Sequence, residues 1–385
     1  VILRRWTRAL PGAAGLVAAC AVAGCGTTGS GGSSSSSSVT ATGRTLSIYL
    51  SAPRAADAVD GDVVAAEQLA FKQQSHEVTR FGLRLVLLRK PTLPDNARAA
   101  IQDKSTIAYL GEIAPGDSEQ TVGITNALDT LELSPTDTAL ELNTRTPAVA
   151  GAPNRYYESA GSYGRTFARI VPSSEVEARR LVAEMKAVRV HSLYVTDDGS
   201  DYGRALAAAV RADLAPAGLS PVTSTAGADG MFYAGSNARA AGRAVAQAAS
   251  AHPALKVFAP SALADPAFAT AVGSGVRSLY VSVPQPAGGP RSAEVRAFNA
   301  AFAATYGHRP APQAAFGFEA MSALLSVLEQ AGGAANNRTT VVNRFHSIKN
   351  RASVVGTFSI DGAGNSTLTS FGFLRLRRGS LVPLS

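Results

Sequence analysis

The chain has 385 residues, 46% of them hydrophobic and 17% charged, with a formal net charge of +8. The charge is scattered, its densest cluster being Arg375-Leu376-Arg377-Arg378, and basic and aromatic residues are not interleaved as on a nucleic-acid surface, so no nucleic-acid partner is expected. The only cysteines are Cys20 and Cys25, so everything after Cys25 lacks a disulfide, a thiolate metal site or a Cys nucleophile.

Arg4, Arg5 and Arg8, followed by small apolar residues from Ala9 to Ala23, read as an export signal. The apolar run is shorter than the ~20 residues a transmembrane helix needs. Val22-Ala23-Gly24-Cys25 resembles the lipobox of bacterial lipoproteins, which implies cleavage before Cys25 and a lipid on its thiol, with Cys20 a second possible site. Residues 1–24 are then a signal peptide, and 25–44 a lipidated cysteine with a Gly/Ser-rich tether. Gly26 to Ser38 has too little apolar surface to fold. About 340 residues follow, too many for one small core, so two lobes are expected.

From Thr45 short apolar runs alternate with helical patterns. Strands are predicted at Leu46 to Ser51, Leu83 to Leu88, Thr106 to Leu110, Thr130 to Leu133 and Phe167 to Val171. Helices are predicted from Asp62 to Gln73, from Pro94 to Gln102 and from Ser118 to Leu128, then from Ser174 to Met185 and from Tyr202 to Leu214. Asn143 to Arg165 is turn-rich. Further strands are predicted at Ser192 to Thr196, Val257-Phe258 and Ser278 to Val283, and further helices at Ala293 to Tyr306, Phe316 to Gln330 and Arg338 to Phe345. Thr357 to Ile360 and Ser370 to Leu376 close the chain as strands about a turn at Asp361-Gly362. This alternation predicts an α/β fold with parallel sheets and helices on both faces, and such sheets bind ligands beyond the carboxyl ends of their strands.

Local catalytic signatures are absent. There is no Gly-x-Ser-x-Gly elbow, no phosphate loop and no Gly-x-Gly-x-x-Gly after the first strand, and no two of the five histidines have metal-pair spacing. Asp361-Gly-Ala-Gly-Asn365 lacks the carboxylates of a calcium loop. No cofactor, no metal and no catalytic residue is expected.

The order of features resembles the type I periplasmic binding proteins, in the leucine/branched-chain amino acid branch. The resemblance is carried by Ile107-Ala-Tyr-Leu-Gly111, Leu133-Ser-Pro-Thr-Asp-Thr138, Phe167-Ala-Arg-Ile-Val-Pro-Ser-Ser174, and Ser192 to Asp198 with Tyr202-Gly203. Phe302, Tyr306 and Pro310, then Phe318-Glu319-Ala320, then Val355-Gly-Thr-Phe358 with Asp361-Gly362, continue it. It implies two Rossmann-like α/β lobes joined by a three-crossover hinge. Lobe one is expected over 45–171 plus 284–352, lobe two over 172–283 plus 353–385.

In that family, lobe-one hydroxyls and backbone N–H groups hold a ligand carboxylate, an acid holds the ammonium, and a lobe-two aromatic closes the site. Carried over, this implies ligand contacts from Asp117, Ser118, Ser134, Thr136, Thr138, Tyr202 and Ser261. Three departures stand out. Ala114-Pro115-Gly116 replaces a serine-rich turn, Ser261 stands near a ligand-facing acid of relatives, and Ser75-His76-Glu77 replaces a Gly-Gly turn. Glu112 and Asp265 are candidate compensating acids. Each site also has a plain structural reading: Ser134-Pro135 ends a strand, Tyr202-Gly203 starts a helix, and Asp117-Ser118 caps one.

The resemblance implies a non-enzymatic extracytoplasmic receptor of an ABC importer, lipid-anchored at the outer face of the membrane. Its partners would be a small polar solute, such as a branched-chain or related amino acid, and an ABC permease. A ligand-sensing lipoprotein with the same lobes is the alternative.

Overall fold

The structure is a computed structural model that describes residues 39–53, 58–76 and 78–384. The lipobox, Cys20, Cys25 and the serine-rich tether lie outside the described residues, as does Glu77.

The first half of the chain lays down one sheet. Its strands are β1 (Thr45–Ser51), β2 (Gly82–Leu88), β3 (Thr106–Leu110), β4 (Leu131–Ser134) and β5 (Phe167–Arg169). They run parallel in the order β2-β1-β3-β4-β5. Every residue of β3, β4 and β5 is buried, as expected of parallel strands covered on both faces. Between the strands come α1 (Ala58–Gln74), α2 (Leu93–Gln102), and the short α3 (Val122–Asn126) and α4 (Ala160–Tyr163). The Thr92 side chain caps α2 by accepting from Asp95 N at 3.3 Å, and Pro94 sits in its first turn, where its missing N–H costs nothing.

The chain then passes to a second sheet through α5 (Ser174–Ala187) and α6 (Asp201–Ala217), which follows β6 (Ser192–Asp197). Next come β7 (Ser220–Val222), β8 (Gly230–Ala234), α7 (Ala238–Ala251), β9 (Lys256–Ala259), α8 (Pro266–Val272) and β10 (Ser278–Pro284). Helices α9 (Ala293–Tyr306), α10 (Ala314–Ala331) and α11 (Arg338–His346) return to the first sheet. There Phe298, Phe302, Phe316 and Phe345 share a core with Leu46, Ile48 and Leu110. A third crossing ends in β11 (Phe371–Arg377) and β12 (Ser380–Pro383), which pair antiparallel. The second sheet has the order β12-β11-β10-β9-β8-β6-β7, with β11 antiparallel to β10 and the remaining pairs parallel. The result is two α/β lobes with parallel central sheets, crossed three times by the chain.

Four expectations are corrected. The helix expected from Ser118 to Leu128 is a 3-10 turn, Asp117–Gln120, followed by the short α3. Thr121 Oγ1 and Thr125 Oγ1 turn inward there to donate to the buried Glu132 carboxylate, at 2.7 Å each. Thr357 to Ile360 makes isolated bridges rather than a strand, and the final hairpin turns at Arg378-Gly379. Val354, Val355, Phe358, Ile360 and Leu368 pack in the first lobe's core, so the third crossing follows Leu368 rather than preceding Ser353. Finally, β7, β8 and α7 occupy 215–256, where no element is predicted. The buried face of α7 consists of Ala241, Gly242, Val245 and Ala249, opposite exposed Arg239, Arg243 and Gln247, an amphipathic stripe that the reading of bulky apolar residues passes over.

Candidate functional site

The carboxyl ends of the first sheet's strands carry two loops that interlock. After β3 comes Gly111 to Gly116; after β4 comes Pro135 to Ala139. Ser134 Oγ donates to Glu112 O at 2.6 Å and accepts from Asp137 N at 2.8 Å. Thr136 Oγ1 donates to Ile113 O at 2.7 Å, and Ser118 Oγ accepts from Glu112 N at 3.2 Å. The Asp137 carboxylate accepts from Gly116 N (2.8 Å), Ser118 N (3.0 Å) and Ala139 N (2.9 Å). Beneath the loops the buried Arg169 guanidinium donates to the carbonyls of Asp137 (2.9 Å) and Ala139 (2.7 Å). Ser118, Ser134 and Thr136 therefore hold the loops to each other.

From the other lobe α6 brings Tyr202 against the first loop. A Cβ added to Gly116 would lie 3.1 Å from Tyr202 Cβ, and φ at Gly116 is +93°. Ser200 sets the start of α6 by accepting from Gly203 N at 2.9 Å. The Tyr202 hydroxyl, Thr138 Oγ1, Glu177 Oε2 and Ser261 Oγ are all buried here. These four groups neighbour one another. Thr138 and Ser261 favour ionisation of Glu177, while the Glu177 charge disfavours that of Tyr202. Burial dominates both groups and pushes both upward. The other Glu177 oxygen accepts from Ser261 N (2.6 Å) and Ser282 Oγ (2.5 Å), tying α5 to β10 and to the turn after β9.

A cavity of about 150 Å³ lies between the lobes. Its walls include Asp60 and Val63 of α1, the turn Ile113-Ala114-Pro115, Thr136, and Ser261, Asp265 and Gln313. Of the residues expected at a ligand, Thr136 and Ser261 line this cavity. Tyr202 and Thr138 stand in the buried cluster around Glu177, and Asp117 and Ser118 start the 3-10 turn after the first loop. Burial, then the charges of Asp137, Asp60 and Glu119, push the Asp117 carboxyl up to about 7. Of the two compensating acids, Asp265 is at the wall. Glu112 turns into lobe one, where Tyr109 Oη and Ser51 Oγ donate to it at 2.5 and 2.7 Å, and burial pushes it up to about 8.

Away from the cavity a second contact joins the lobes. Tyr156 Oη donates to Asp201 Oδ2 at 2.6 Å, and Arg155 reaches the same oxygen at 2.6 Å. Arg204 pairs with the other oxygen.

Two lobes, three crossings and a cleft at the strands' carboxyl ends define the architecture, and solved structures share it. A leucine-binding protein (LivK) from Thermotoga maritima superimposes with a TM-score of 0.72 at 17% identity, over 88% of this chain and 98% of that one. The chain has the type I periplasmic-binding-protein fold. The branched-chain amino acid binding protein LivJ of Streptococcus pneumoniae, in complex with isoleucine, has a TM-score of 0.66 at 16% identity, over 88% of this chain and all of that one. A Rhodopseudomonas palustris solute-binding protein of an ABC transporter, in complex with benzoate, has a TM-score of 0.67 at 15% identity, over 89% and 96%. No family model matches the sequence, and no curated protein does. Among the described residues no helix is long and apolar enough to cross a membrane, and no group of three His, Cys, Asp or Glu could hold a metal.

Sequence reasoning missed Asp137 and Glu177. Asp137 lies inside the Leu133 to Thr138 motif, but nothing local shows that it binds a loop 19 to 21 residues earlier. Glu177 reads as an ordinary acid in the first turn of a helix.

Proposed function

We propose that this is an extracytoplasmic solute-binding protein, which closes its two lobes on a small polar solute and delivers it to an ABC permease. The observation that carries the reading is the cavity between the lobes, lined by loops from the ends of both sheets. Such a site works by closure: each lobe supplies part of the wall, so the ligand favours the closed state. The reading assigns no catalytic role to any residue. Within it the contacts come from Thr136 and Ser261 at the wall, with Tyr202, Thr138, Ser134, Asp117 and Ser118 shaping it. Lobe one is 45–171 with 284–368, and lobe two the remainder of the folded chain. A lipid on Cys25 holds the protein at the outer face of the membrane. The bound partners of the neighbouring folds make leucine, isoleucine and benzoate the first ligands to try.

A thermal-shift screen followed by calorimetry tests the reading. A true ligand at about 100 times its Kd stabilises the native state by about 2.7 kcal/mol, an easily read shift. A folded protein that binds no small amino acid, amine or carboxylate would refute it. Cys25→Ser tests the anchor: the protein should move from the membrane fraction to the soluble one, and retention on the membrane would show another attachment.

A further inference from the structure

The end of lobe one farthest from the cleft carries a basic groove. Helix α11 starts over β3, where Arg338 Nε donates to Thr106 O at 2.8 Å, and ends over β5, where His346 Nε2 lies 3.3 Å from Phe167 O. Thr106 and Phe167 are the first residues of their strands, so α11 crosses the amino ends of the sheet, opposite the cavity at its carboxyl ends. Beside its last turn, α10 and the segment after α11 enclose a groove of about 570 Å³. Arg344, Lys349 and Arg351 line it with Ser326 and Ser347, and among the described residues no carboxylate does.

The three cations differ in what they already hold. Arg351 Nε donates to Glu319 Oε1 at 2.5 Å, and Lys349 Nζ donates to Ile360 O at 3.1 Å. Arg344 is exposed, and among the described residues its side chain makes no ion pair. The acids in reach are engaged. Glu319 holds Arg351, and Asp361, next to Ile360, accepts from Ala363 N and Asn365 N at 2.9 and 2.8 Å. Glu329 of α10 is exposed but outside the lining. The helix dipole alone favours a cation at Arg344, but Lys349 and Arg351 lie beyond the helix. A groove with two cations lacking a carboxylate partner suits phosphate groups, which accept charge-assisted hydrogen bonds from Arg and Lys.

The chain enters the fold on this same side. Val39 O accepts from Arg338 N at 3.0 Å, and Thr40 bridges Asn337, so the first described residues meet the amino end of α11. Arg344 follows in the same helix, about 9 Å further on. Cys25 precedes Val39 by 14 positions, a span of at most about 50 Å. A lipid on Cys25 keeps this end of lobe one near the membrane.

We propose that the groove between α10 and the segment after α11 docks lobe one on anionic phospholipid headgroups, with the ligand cleft turned away from the membrane toward the medium. Each cation near an anionic surface contributes about five-fold in affinity, so the docking is reversible, and release frees the cleft to reach a partner in the membrane. The proposal takes from the reading above only the lipid on Cys25, and its test does not use that lipid.

The test is cosedimentation of the full chain carrying Cys20→Ser and Cys25→Ser with phosphatidylcholine vesicles, with and without phosphatidylglycerol, in about 0.1 M salt. The chain should bind the anionic vesicles more tightly than the neutral ones. Arg344→Gln with Lys349→Gln should weaken that binding at least about ten-fold. Arg239→Gln with Arg243→Gln removes the same charge from the exposed face of α7 and should weaken it less than about three-fold. Equal losses in the two variants, or no preference for anionic vesicles, overturn the proposal. Calorimetric binding of inorganic phosphate that disappears in the Arg344 and Lys349 variant also overturns it, assigning the groove to a free anion. A second measurement keeps every groove cation. The chain without Cys20 and Cys25 has no cysteine, so a fluorophore on Ser347→Cys reports from the groove alone. Headgroup-spin-labelled lipid should quench it more than a fluorophore on Gln247→Cys of α7, and equal quenching overturns the docking even if the charge variants fail to fold.

Discussion

At Gly116, φ of +93° places the backbone where a side chain is strained by about 1–2 kcal/mol, and the added Cβ would press on Tyr202 from the opposite lobe. Gly116→Ala should therefore lower stability in urea by about 1–2 kcal/mol. It should also weaken ligand binding, because the contact it disturbs is made between the lobes. Unchanged affinity would mean that Tyr202 does not pack on this loop when ligand is bound. Arg169 works from below. Its guanidinium is the donor for two loop carbonyls, so Arg169→Met leaves both carbonyls buried and unpaired. Each orphaned group costs about 1–3 kcal/mol, so a loss of at least about 2 kcal/mol in urea unfolding is expected. A loss near zero would show that water replaces the guanidinium.

At the level of elements, α1 and α10 approach so closely that a Cβ on Gly317 would lie 2.4 Å from Val63 O. Gly317→Ala must push the helices apart, and overpacking of this kind costs about 1–3 kcal/mol. Stabilisation by that substitution, which helix propensity alone would favour, would refute the close packing. The α10 pattern is plain in the sequence because nearly its whole surface is buried and apolar. The strands β1 and β3 are plain for a similar reason: sheets covered on both faces need largely apolar runs. In α7 the stripe is present but built mainly from alanine and glycine against arginine, so a search for bulky apolar residues passes over it. The site was legible as a set of hydroxyls near strand ends, but a hydroxyl in a sequence does not say what it bonds. Ser134 and Thr136 bond carbonyls 22 and 23 residues away, and Glu177 bonds groups 84 and 105 residues away. Such pairings are fixed only when the sheets assemble.

For the whole molecule, buried acids set how stability varies with pH. Burial pushes Glu112 and Glu141 up to about 8, and Asp117 and Glu319 up to about 7. In the unfolded chain these groups titrate near 4, so between about 4 and 8 the folded protein holds more protons than the unfolded one. Their contribution is fully present below the unfolded pKa and is lost as pH rises through the folded one. Asp103, held down to about 2 chiefly by its bonds from Ser105 against the opposing cost of burial, acts in the other direction but only below about 4. The urea midpoint should therefore decline from pH 5 to pH 8, and a flat or rising profile would contradict the placement of these carboxyls. The same scale decides how the cleft stays shut. Asp201 of α6 is nearly buried and binds Tyr156 and Arg155 from the first lobe, so opening the cleft breaks both contacts. Hydrogen bonds to a charged group contribute about 1.5–3 kcal/mol, less here because Arg155 is half exposed. Asp201→Ala should thus shift the balance toward the open form, raising Kd about ten-fold through faster release. Small-angle scattering should show a larger radius of gyration for the variant with saturating ligand withheld. Equal radii and equal release rates would mean that the lobes are held together by the buried cluster around Glu177 and Tyr202 alone.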